Sequence, residues 1–159
     1  MKYISGVAEE QAISYFHKVA EVALRSSCFR AKCGAIIVKD DSIIGFGFNS
    51  PPKDMLLEYC IKDILPTGFS SDRTCCVHAE ERAIIDALKN YHEKLIDSRL
   101  YFIRLDEHGA LSRSGKPYCT ICSKLALDVG ISEFCLWHDN GICVYGAKEY
   151  NELSFKFIK

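Results

Sequence analysis

Two short segments of the chain carry the residue types of a metal centre. The first contains His78-Ala79-Glu80, and the second, further along the chain, contains Cys119-Thr120-Ile121-Cys122. Together they provide one imidazole and two thiolates, which are favourable zinc ligands. A structural zinc site uses four protein ligands, whereas a catalytic site uses three and leaves a fourth position for water. The sequence therefore predicts a catalytic zinc site, with the carboxylate of Glu80 left to move protons.

Two alternatives exist for the cysteines. Zinc could serve only to stabilise the fold, but such a site needs a fourth protein ligand, and a domain with this much core does not depend on metal. Cys60 could bind a second metal ion together with Cys75 or Cys76. Their separation matches no compact metal-binding pattern, so we interpret these residues as buried thiols.

The segments that must position these residues alternate between helical and strand patterns. Apolar residues recur at helical spacing from Ala8 to about Phe29, which predicts a first helix. The other predicted elements, in chain order, are hairpin strands at Cys33 to Lys39 and Ser42 to Phe48, a helix from the histidine motif to about Asn90, a strand at Arg99 to Leu105, a helix at Thr120 to Val129, and strands at Ile131 to Trp137 and Ile142 to Tyr145 followed by a helix from Ala147. The alternation predicts a layered α/β domain with a partly parallel sheet.

Two features lie beside the predicted site. Gly45 and Gly47, inside the second hairpin strand, indicate close approach of the backbone to a neighbouring element or a ligand. Residues 49–73 hold most of the prolines and no long periodicity, so they predict a long loop. Because long loops inside compact domains tend to be functional, we place this loop near the mouth of the site.

Both ligand segments are predicted to begin helices. Helix N-termini carry partial positive charge, which lowers the pKa of a thiol and favours the thiolate form at Cys119 and Cys122. Residues two apart in an ideal helix point to nearly opposite faces. His78 and Glu80 can therefore face one metal ion only if the motif lies where the helix begins. By the same reasoning, Glu81 is predicted at the surface.

Composition places the chain among ordinary globular proteins. With 159 residues, 48% of them hydrophobic and 26% charged, we expect a single domain over residues 1–159. No apolar run approaches the roughly 20 residues that cross a membrane, and the N-terminus lacks a secretory signal. Nine cysteines without such a signal predict free thiols and a cytoplasmic location. The net charge of −1 does not favour nucleic acid as a partner.

The pattern H-x-E followed by P-C-x-x-C is the signature of zinc-dependent nucleobase deaminases, and this chain resembles the cytidine and deoxycytidylate deaminase superfamily. Arg30 to Val38 and Gly45 to Pro51 are similar to the first hairpin of its deoxycytidylate branch. The resemblance extends from about residue 25 to residue 137. It implies a three-layer α/β/α fold with a mixed sheet of about five strands, and Zn²⁺ as the cofactor.

The resemblance also implies roles for single residues. It makes His78, Cys119 and Cys122 the zinc ligands and Glu80 the catalytic acid and base. It places Asn49 near the sugar of a substrate and the backbone of Ala79 against the base. We add Lys32 and Tyr118 as substrate contacts. The cations that could bind one phosphate are Arg30, Lys32, Arg82, Arg113 and Lys116.

These features predict hydrolytic deamination of a cytosine nucleoside or nucleotide (cytidine, deoxycytidine, CMP or dCMP) to the uracil product, with release of ammonia. Two departures from the family pattern keep a guanine or adenine compound as an alternative. Tyr118 stands between Pro117 and Cys119, and Arg82 replaces the asparagine of the deoxycytidylate branch. A base in tRNA or single-stranded DNA is a further alternative, because it requires the same chemistry. We expect a homo-oligomer in which a neighbouring chain closes the site.

Overall fold

A computed structural model describes residues 1–68, 74–106 and 108–157. Its helices are α1 (Val7–Leu24), α2 (Ala79–Asn90), α3 (Thr120–Asp128) and α4 (Ala147–Phe155). Its strands are β1 (Lys2–Tyr3), β2 (Lys32–Lys39), β3 (Ser42–Phe48), β4 (Arg99–Leu105), β5 (Leu111–Ser112), β6 (Glu133–His138) and β7 (Gly141–Gly146). None of the described helices is long and apolar enough to cross a membrane. The end of the predicted loop, residues 69–73, lies outside the described residues.

The strands form one mixed sheet. Their order is β1-β7-β6-β4-β2-β3, and β5 pairs with the end of β4. β4 and β6 run parallel, while the other described pairs are antiparallel, which confirms the predicted mixed sheet. The described sheet has seven strands, whereas the sequence predicted about five. The difference lies in β1 and β5, because a two-residue strand is too short to show alternation in the sequence.

Helices cover both faces of the sheet, which confirms the three-layer α/β/α arrangement. On one face α1 packs through Phe16 and Val19 onto strand residues such as Ile103. On the other, α2, α3 and α4 contribute residues such as Ile84 to a core that includes Leu100 of β4. We call these the α1 face and the three-helix face. Side chains alternate along each strand, so the register of a residue decides which face it joins.

Glycines in β3 bring α2 close to the sheet. A Cβ atom at Gly45 would lie 2.5 Å from the carbonyl oxygen of Ala83, and one at Gly47 would lie 2.3 Å from that of Ala79. Any larger side chain would push the helix away. The predicted close approach is therefore confirmed, and its partner is a helix. The contact fixes the first turn of α2, where the histidine motif lies, against β3.

The first helix is shorter than the sequence predicted. α1 ends at Leu24 instead of near Phe29, and the next residues turn toward the end of β3. The buried hydroxyl of Ser26 donates to the main-chain oxygen of Asn49 at 2.6 Å and to its side-chain oxygen at 2.8 Å. This tertiary contact competes with continuation of α1 beyond Leu24. The spacing of apolar residues in the sequence does not reveal such a contact.

Candidate active site

His78 stands immediately before α2. Its backbone is extended (φ −72°, ψ 155°), and the helix begins at Ala79. The backbone N–H of His78 donates to the carboxylate of Glu81 at 2.9 Å, which satisfies one of the unpaired groups at the helix start. The histidine motif therefore lies at the start of a helix, as predicted. Glu81 is half-buried and caps the helix, so its prediction as a simple surface residue was wrong.

Cys119 occupies the equivalent position before α3. It is the N-cap residue, and the backbone N–H of Cys122 donates to its sulfur at 3.4 Å. Cys122 lies one turn further into the helix and is fully buried. Both sulfurs thus lie at a helix N-terminus, where the partial positive charge favours thiolates.

The two helix starts bring their ligand atoms together. Nδ1 of His78 lies 3.3 Å from the sulfur of Cys119 and 3.2 Å from that of Cys122, and the two sulfurs are 3.0 Å apart. In a tetrahedral zinc site, bonds of roughly 2.0–2.3 Å separate ligand atoms by about 3.5–3.8 Å. Shifts of a few tenths of an ångström would therefore fit zinc, and the donor set of two sulfurs and one imidazole is one that zinc prefers. Within the described residues, no other group of three such side chains is placed to bind a metal.

Hydrogen bonds join the three ligand side chains and shift their pKa values, and a metal cation could take the place of the protons in these bonds. The hydrogen bond between the sulfurs lowers the pKa of Cys119 to about 4 and raises the pKa of Cys122 well above its usual value. The hydrogen bond to Cys119 raises the pKa of His78 to about 9. A metal cation replaces such protons, because its ligands must be thiolate and neutral imidazole.

Glu80 lies next to this ligand set and is only 5% exposed. Burial raises the pKa of its carboxyl to about 7, with a further contribution from the charge of Cys119. A carboxyl group with a pKa near neutrality is suited both to accept and to donate a proton. Among the described residues it is the only acidic or basic side chain, cysteines and tyrosines aside, that is buried.

Asn49 is buried at the end of β3, where its side chain holds neighbouring backbone. Its amide oxygen accepts from the backbone N–H of Cys33 at 2.7 Å, and its amide nitrogen donates to the carbonyl of Ala31 at 2.9 Å. With the bond from Ser26 described above, these contacts leave one amide hydrogen of Asn49 for a ligand. The structure therefore gives Asn49 a structural role that the sequence did not predict.

The other predicted substrate contacts lie in different places. Ala79 is buried at the start of α2. Tyr118 is 52% exposed at the rim of the site, and its ring lies 5.6 Å from that of Phe157. Lys32 is in register with Leu105, which belongs to the α1 face. The structure thus brings Ala79 and Tyr118 to the site and separates Lys32 from it. The register of β2 does not favour Lys32 as a substrate contact, and that role stays a prediction.

Arg82 holds the loop that follows β3. Its guanidinium donates to the carbonyl of Pro51 at 2.7 Å and pairs with Asp54 at 3.0 Å. Val77 is bridged to Ser50 in the same loop through a backbone hydrogen bond of 3.0 Å. Arg82 is therefore committed to positioning this loop beside the histidine motif. This role was not predicted from the sequence, where Arg82 was a candidate cation for phosphate and a departure from the deoxycytidylate branch.

The alternative second metal site receives no support from the geometry. Cys60 is buried, and the sulfurs of Cys75 and Cys76 lie 3.8 Å apart. Neither combination joins a group of three ligands within the described residues. All three are free thiols; Cys60 is buried as predicted, whereas Cys75 and Cys76 are only half-buried.

A three-layer α/β/α domain that places a His/Cys/Cys set at two helix N-termini, with a buried glutamate beside it, has the architecture of the zinc-dependent nucleobase deaminases. The chain belongs to their cytidine and deoxycytidylate deaminase family. Residues 9–137 match the family model for the cytidine and deoxycytidylate deaminase zinc-binding region. Zinc is accordingly the cofactor, and His78, Cys119 and Cys122 are placed to bind it.

Three comparisons illustrate this membership. The chain is 31% identical over 153 residues to the deoxycytidylate deaminase of Saccharomyces cerevisiae, covering 92% of this chain and 41% of that protein. It is 33% identical over 126 residues to the deoxycytidylate deaminase of Mycobacterium phage D29, covering 74% of this chain and 87% of that protein. A crystal structure of dCMP deaminase from the cyanophage S-TIM5 in complex with dCMP and dUMP shares the fold, with a TM-score of 0.53, 24% identity and 79% of each chain covered. The chain thus spans less than half the length of the yeast relative.

Proposed function

We propose that the protein hydrolyses the exocyclic amino group of a cytosine nucleotide or nucleoside, forming the uracil product and ammonia. The observation that carries this proposal is the buried carboxylate of Glu80 beside the His78, Cys119 and Cys122 ligand set. A fold-stabilising zinc site would not need a buried carboxylate that binds no metal. The deoxycytidylate deaminases among the relatives support cytosine as the base.

The residues of this chain account for the proton movements of the reaction. When bound, zinc makes water a good nucleophile at neutral pH. Glu80 accepts a proton from the water that adds to C4 of cytosine and delivers it to ring nitrogen N3. It then carries the second proton of that water to the amino group, which leaves as ammonia. The carboxylate of Glu80 is regenerated, so water and cytosine are converted to uracil and ammonia without any other reactant.

The remaining contacts hold the substrate in place. The backbone of Ala79 borders the base, and the free amide hydrogen of Asn49 is available to a sugar hydroxyl. The ring of Tyr118 covers the rim of the site. Although about half of the residue is exposed, shielding of its hydroxyl from water, together with the charges of Glu80 and Cys33, raises the pKa of that hydroxyl above the usual value. The hydroxyl therefore stays protonated and remains a hydrogen-bond donor.

Ammonia release from a panel of substrates tests the proposed function. The panel consists of cytidine, deoxycytidine, CMP, dCMP, the corresponding guanine and adenine compounds, single-stranded DNA and tRNA. We expect turnover of the free cytosine compounds. Turnover of tRNA or DNA alone would refute a small-molecule substrate, and turnover of guanine or adenine compounds alone would refute cytosine.

A homo-oligomer in the cytoplasm is part of the same proposal. The outer side of α2 exposes Ile85, Leu88 and Tyr91, which are 43%, 42% and 43% accessible and are spaced along one stripe of the helix. Exposed apolar stripes of this kind support association with a second chain. Light scattering should give a mass that is a multiple of 17.9 kDa, and Leu88→Asp should lower it.

The cytoplasmic location stays a prediction, supported by nine cysteines that are all described and all free.

A further inference from the structure

Arg104 lies at the outer end of the row of residues that faces the candidate active site. It is on β4, directly opposite Cys33 of β2 in the antiparallel register. Two and four residues earlier in β4, Phe102 and Leu100 pack into the core of the three-helix face. Since side chains alternate along a strand, Arg104 points to the same side of the sheet as the zinc ligands. Unlike Phe102 and Leu100 it is exposed, so it lies at the open end of the row.

Cys33 connects Arg104 to the rest of the site. Directly opposed residues in antiparallel strands have Cβ atoms about 4.5–5.5 Å apart. The backbone N–H of Cys33 is bonded to Asn49, as described above. Its thiol is close enough to Glu80 and Arg104 for both charges to act on it: burial and then the charge of Glu80 raise the pKa of Cys33 to about 12, while the charge of Arg104 acts in the opposite direction. Arg104 therefore lies across the strand pair from a residue that is bonded to Asn49 and lies within range of the charge of Glu80.

Arg104 also differs from the other arginines that the structure describes, because each of those has a partner within the chain. The side chain of Arg104 makes no ion pair, hydrogen bond or ring contact with the described residues. The partners of the others are Phe46 and Phe48 for Arg25, Asp63 for Arg30, Asp54 for Arg82, Glu133 for Arg99 and Trp137 for Arg113. The sequence-based candidates Arg30, Arg82 and Arg113 are thus already engaged.

We propose that Arg104 binds the 5′-phosphate of the substrate and selects a cytosine nucleoside monophosphate over the free nucleoside. This inference rests on the proposed deaminase function. A guanidinium offers two parallel N–H donors that match the oxygens of a phosphate, and it keeps its charge at every physiological pH. With the base next to Glu80 and the sugar next to Asn49, a phosphate on the sugar extends toward the exposed end of the row, where Arg104 lies.

The selectivity ratio of Arg104 variants tests this proposal. We would measure kcat/KM for dCMP and for deoxycytidine in the wild type, Arg104→Gln, Arg104→Lys and the matched control Arg113→Gln, with zinc content checked in each. A charged hydrogen-bonded contact predicts that Arg104→Gln lowers the dCMP-to-deoxycytidine ratio by about 10- to 100-fold. Arg104→Lys should retain part of the preference, and Arg113→Gln should retain all of it. If kcat/KM fell by the same factor for both substrates, so that their ratio did not change, the assignment would be overturned.

A second cation near the site provides a competing assignment. The charge of Lys62 also acts on the thiol of Cys33. If Lys62→Gln abolished the preference for dCMP while Arg104→Gln kept it, the phosphate site would belong to Lys62 and our assignment would be wrong. Inorganic phosphate should inhibit dCMP turnover in the wild type and much less in Arg104→Gln.

Binding of the uracil products separates this inference from the proposed function. Titration of dUMP and deoxyuridine by calorimetry requires no turnover. If the wild type deaminated no cytosine compound, the proposed function would fail. Arg104 would still be supported by dUMP binding that weakens about 10- to 100-fold in Arg104→Gln. If the wild type bound dUMP no better than deoxyuridine, the phosphate site itself would be refuted.

Discussion

Both faces of the sheet bury apolar side chains against helices, but they differ in what else they contain. On the α1 face the described core is an apolar and aromatic cluster without a buried carboxyl group: the ring of Phe16 lies 5.5 Å from that of Tyr101 and 5.4 Å from that of Trp137. The three-helix face buries the carboxyl group of Glu80 and two cysteines that share protons with His78. One face therefore provides packing alone, and the other combines packing with chemistry.

The number and direction of the helices explain the difference. A single helix on the α1 face presents its side to the sheet, where apolar residues at helical spacing fill the core. On the three-helix face, α2 and α3 begin at neighbouring points. Their N-termini therefore lie side by side, and His78 and Cys119 can bind the same metal ion. Helix N-termini are where partial positive charge and unpaired N–H groups are available. This ligand set depends on the convergence of two helix starts, which the single helix of the α1 face cannot provide.

The largest expected effect comes from replacing one buried cysteine on each face. Cys122 and Cys135 are both fully buried, but only Cys122 lies among the zinc ligands. Cys122→Ser should lose tightly bound zinc and all measurable turnover, since a catalytic zinc site has only three protein ligands. Cys135→Ser should keep about one zinc ion per chain. Elemental analysis and ammonia release measure both variants. Full zinc content in Cys122→Ser would mean that the metal is held elsewhere.

The next effect concerns the proton shuttle. Glu80→Gln should reduce turnover by about 10²- to 10⁴-fold, the usual contribution of general acid–base catalysis. Zinc should remain bound, and stability should not fall, because glutamine removes a buried carboxyl group. The control is Glu81→Gln, since glutamine can still accept the N–H of His78 at this capping position. If Glu81→Gln were inactive and Glu80→Gln active, the roles of the two carboxyl groups would be reversed.

On the α1 face the largest effect should be on stability. Phe16 is fully buried, and replacing a buried phenylalanine with alanine typically costs about 3–5 kcal/mol. Phe16→Ala should lower the free energy of unfolding by this amount in chemical denaturation, while the folded fraction keeps its zinc. Phe155→Ala is the control, because Phe155 is 63% exposed and should cost less than about 1 kcal/mol. A loss of zinc that paralleled the loss of stability would show that the two faces are not independent.

The parts of the three-helix face that depend on local pattern could be predicted from the sequence. The ligand segments, the start of α2 at the histidine motif and the end of α3 near Gly130 all follow from residue types and spacing over a few positions. Gly130 has the positive φ, 87°, that favours glycine after a helix. Gly45 and Gly47 were also informative, because a strand tolerates glycine poorly unless something approaches closely.

The residues whose places in the structure could not be predicted from the sequence depend on the register between strands. Lys32 and Cys33 are neighbours in the chain, yet they join opposite faces of β2. Arg104 could have been placed beside Cys33 only by knowing that β4 pairs with β2, a contact between residues far apart in sequence. The internal hydrogen bonds of Asn49 depend in the same way on where the end of α1 leaves the helix. Local sequence pattern was enough to identify the zinc ligands. The residues around the substrate are brought together by pairing between strands that are distant in the sequence, which local pattern does not reveal.

The smallest expected effect is the alkaline sensitivity of the α1 face. Tyr101 is 3% exposed, and burial raises the pKa of its hydroxyl from 10.0 to about 12, although a hydrogen bond from Arg99 acts in the opposite direction. The folded protein therefore keeps the proton at a pH where the unfolded chain has lost it. The stability that this provides is fully present below pH 10 and is lost as the pH rises from about 10 to about 12.

Replacing Tyr101 with phenylalanine should remove this part of the pH dependence. Between pH 9 and pH 11, a pKa difference of this size lowers the free energy of unfolding by about 1 kcal/mol. Tyr101→Phe should therefore lose about 1 kcal/mol less than the wild type over this range when both are unfolded with urea under reducing conditions. Tyr59→Phe, at a position that is 50% exposed, should follow the wild type. Equal losses in Tyr101→Phe and the wild type would mean that the hydroxyl of Tyr101 ionises as readily in the folded protein as in the unfolded chain. The aromatic core would then be open to water, and the description of the α1 face as one that provides packing alone would not hold at this position.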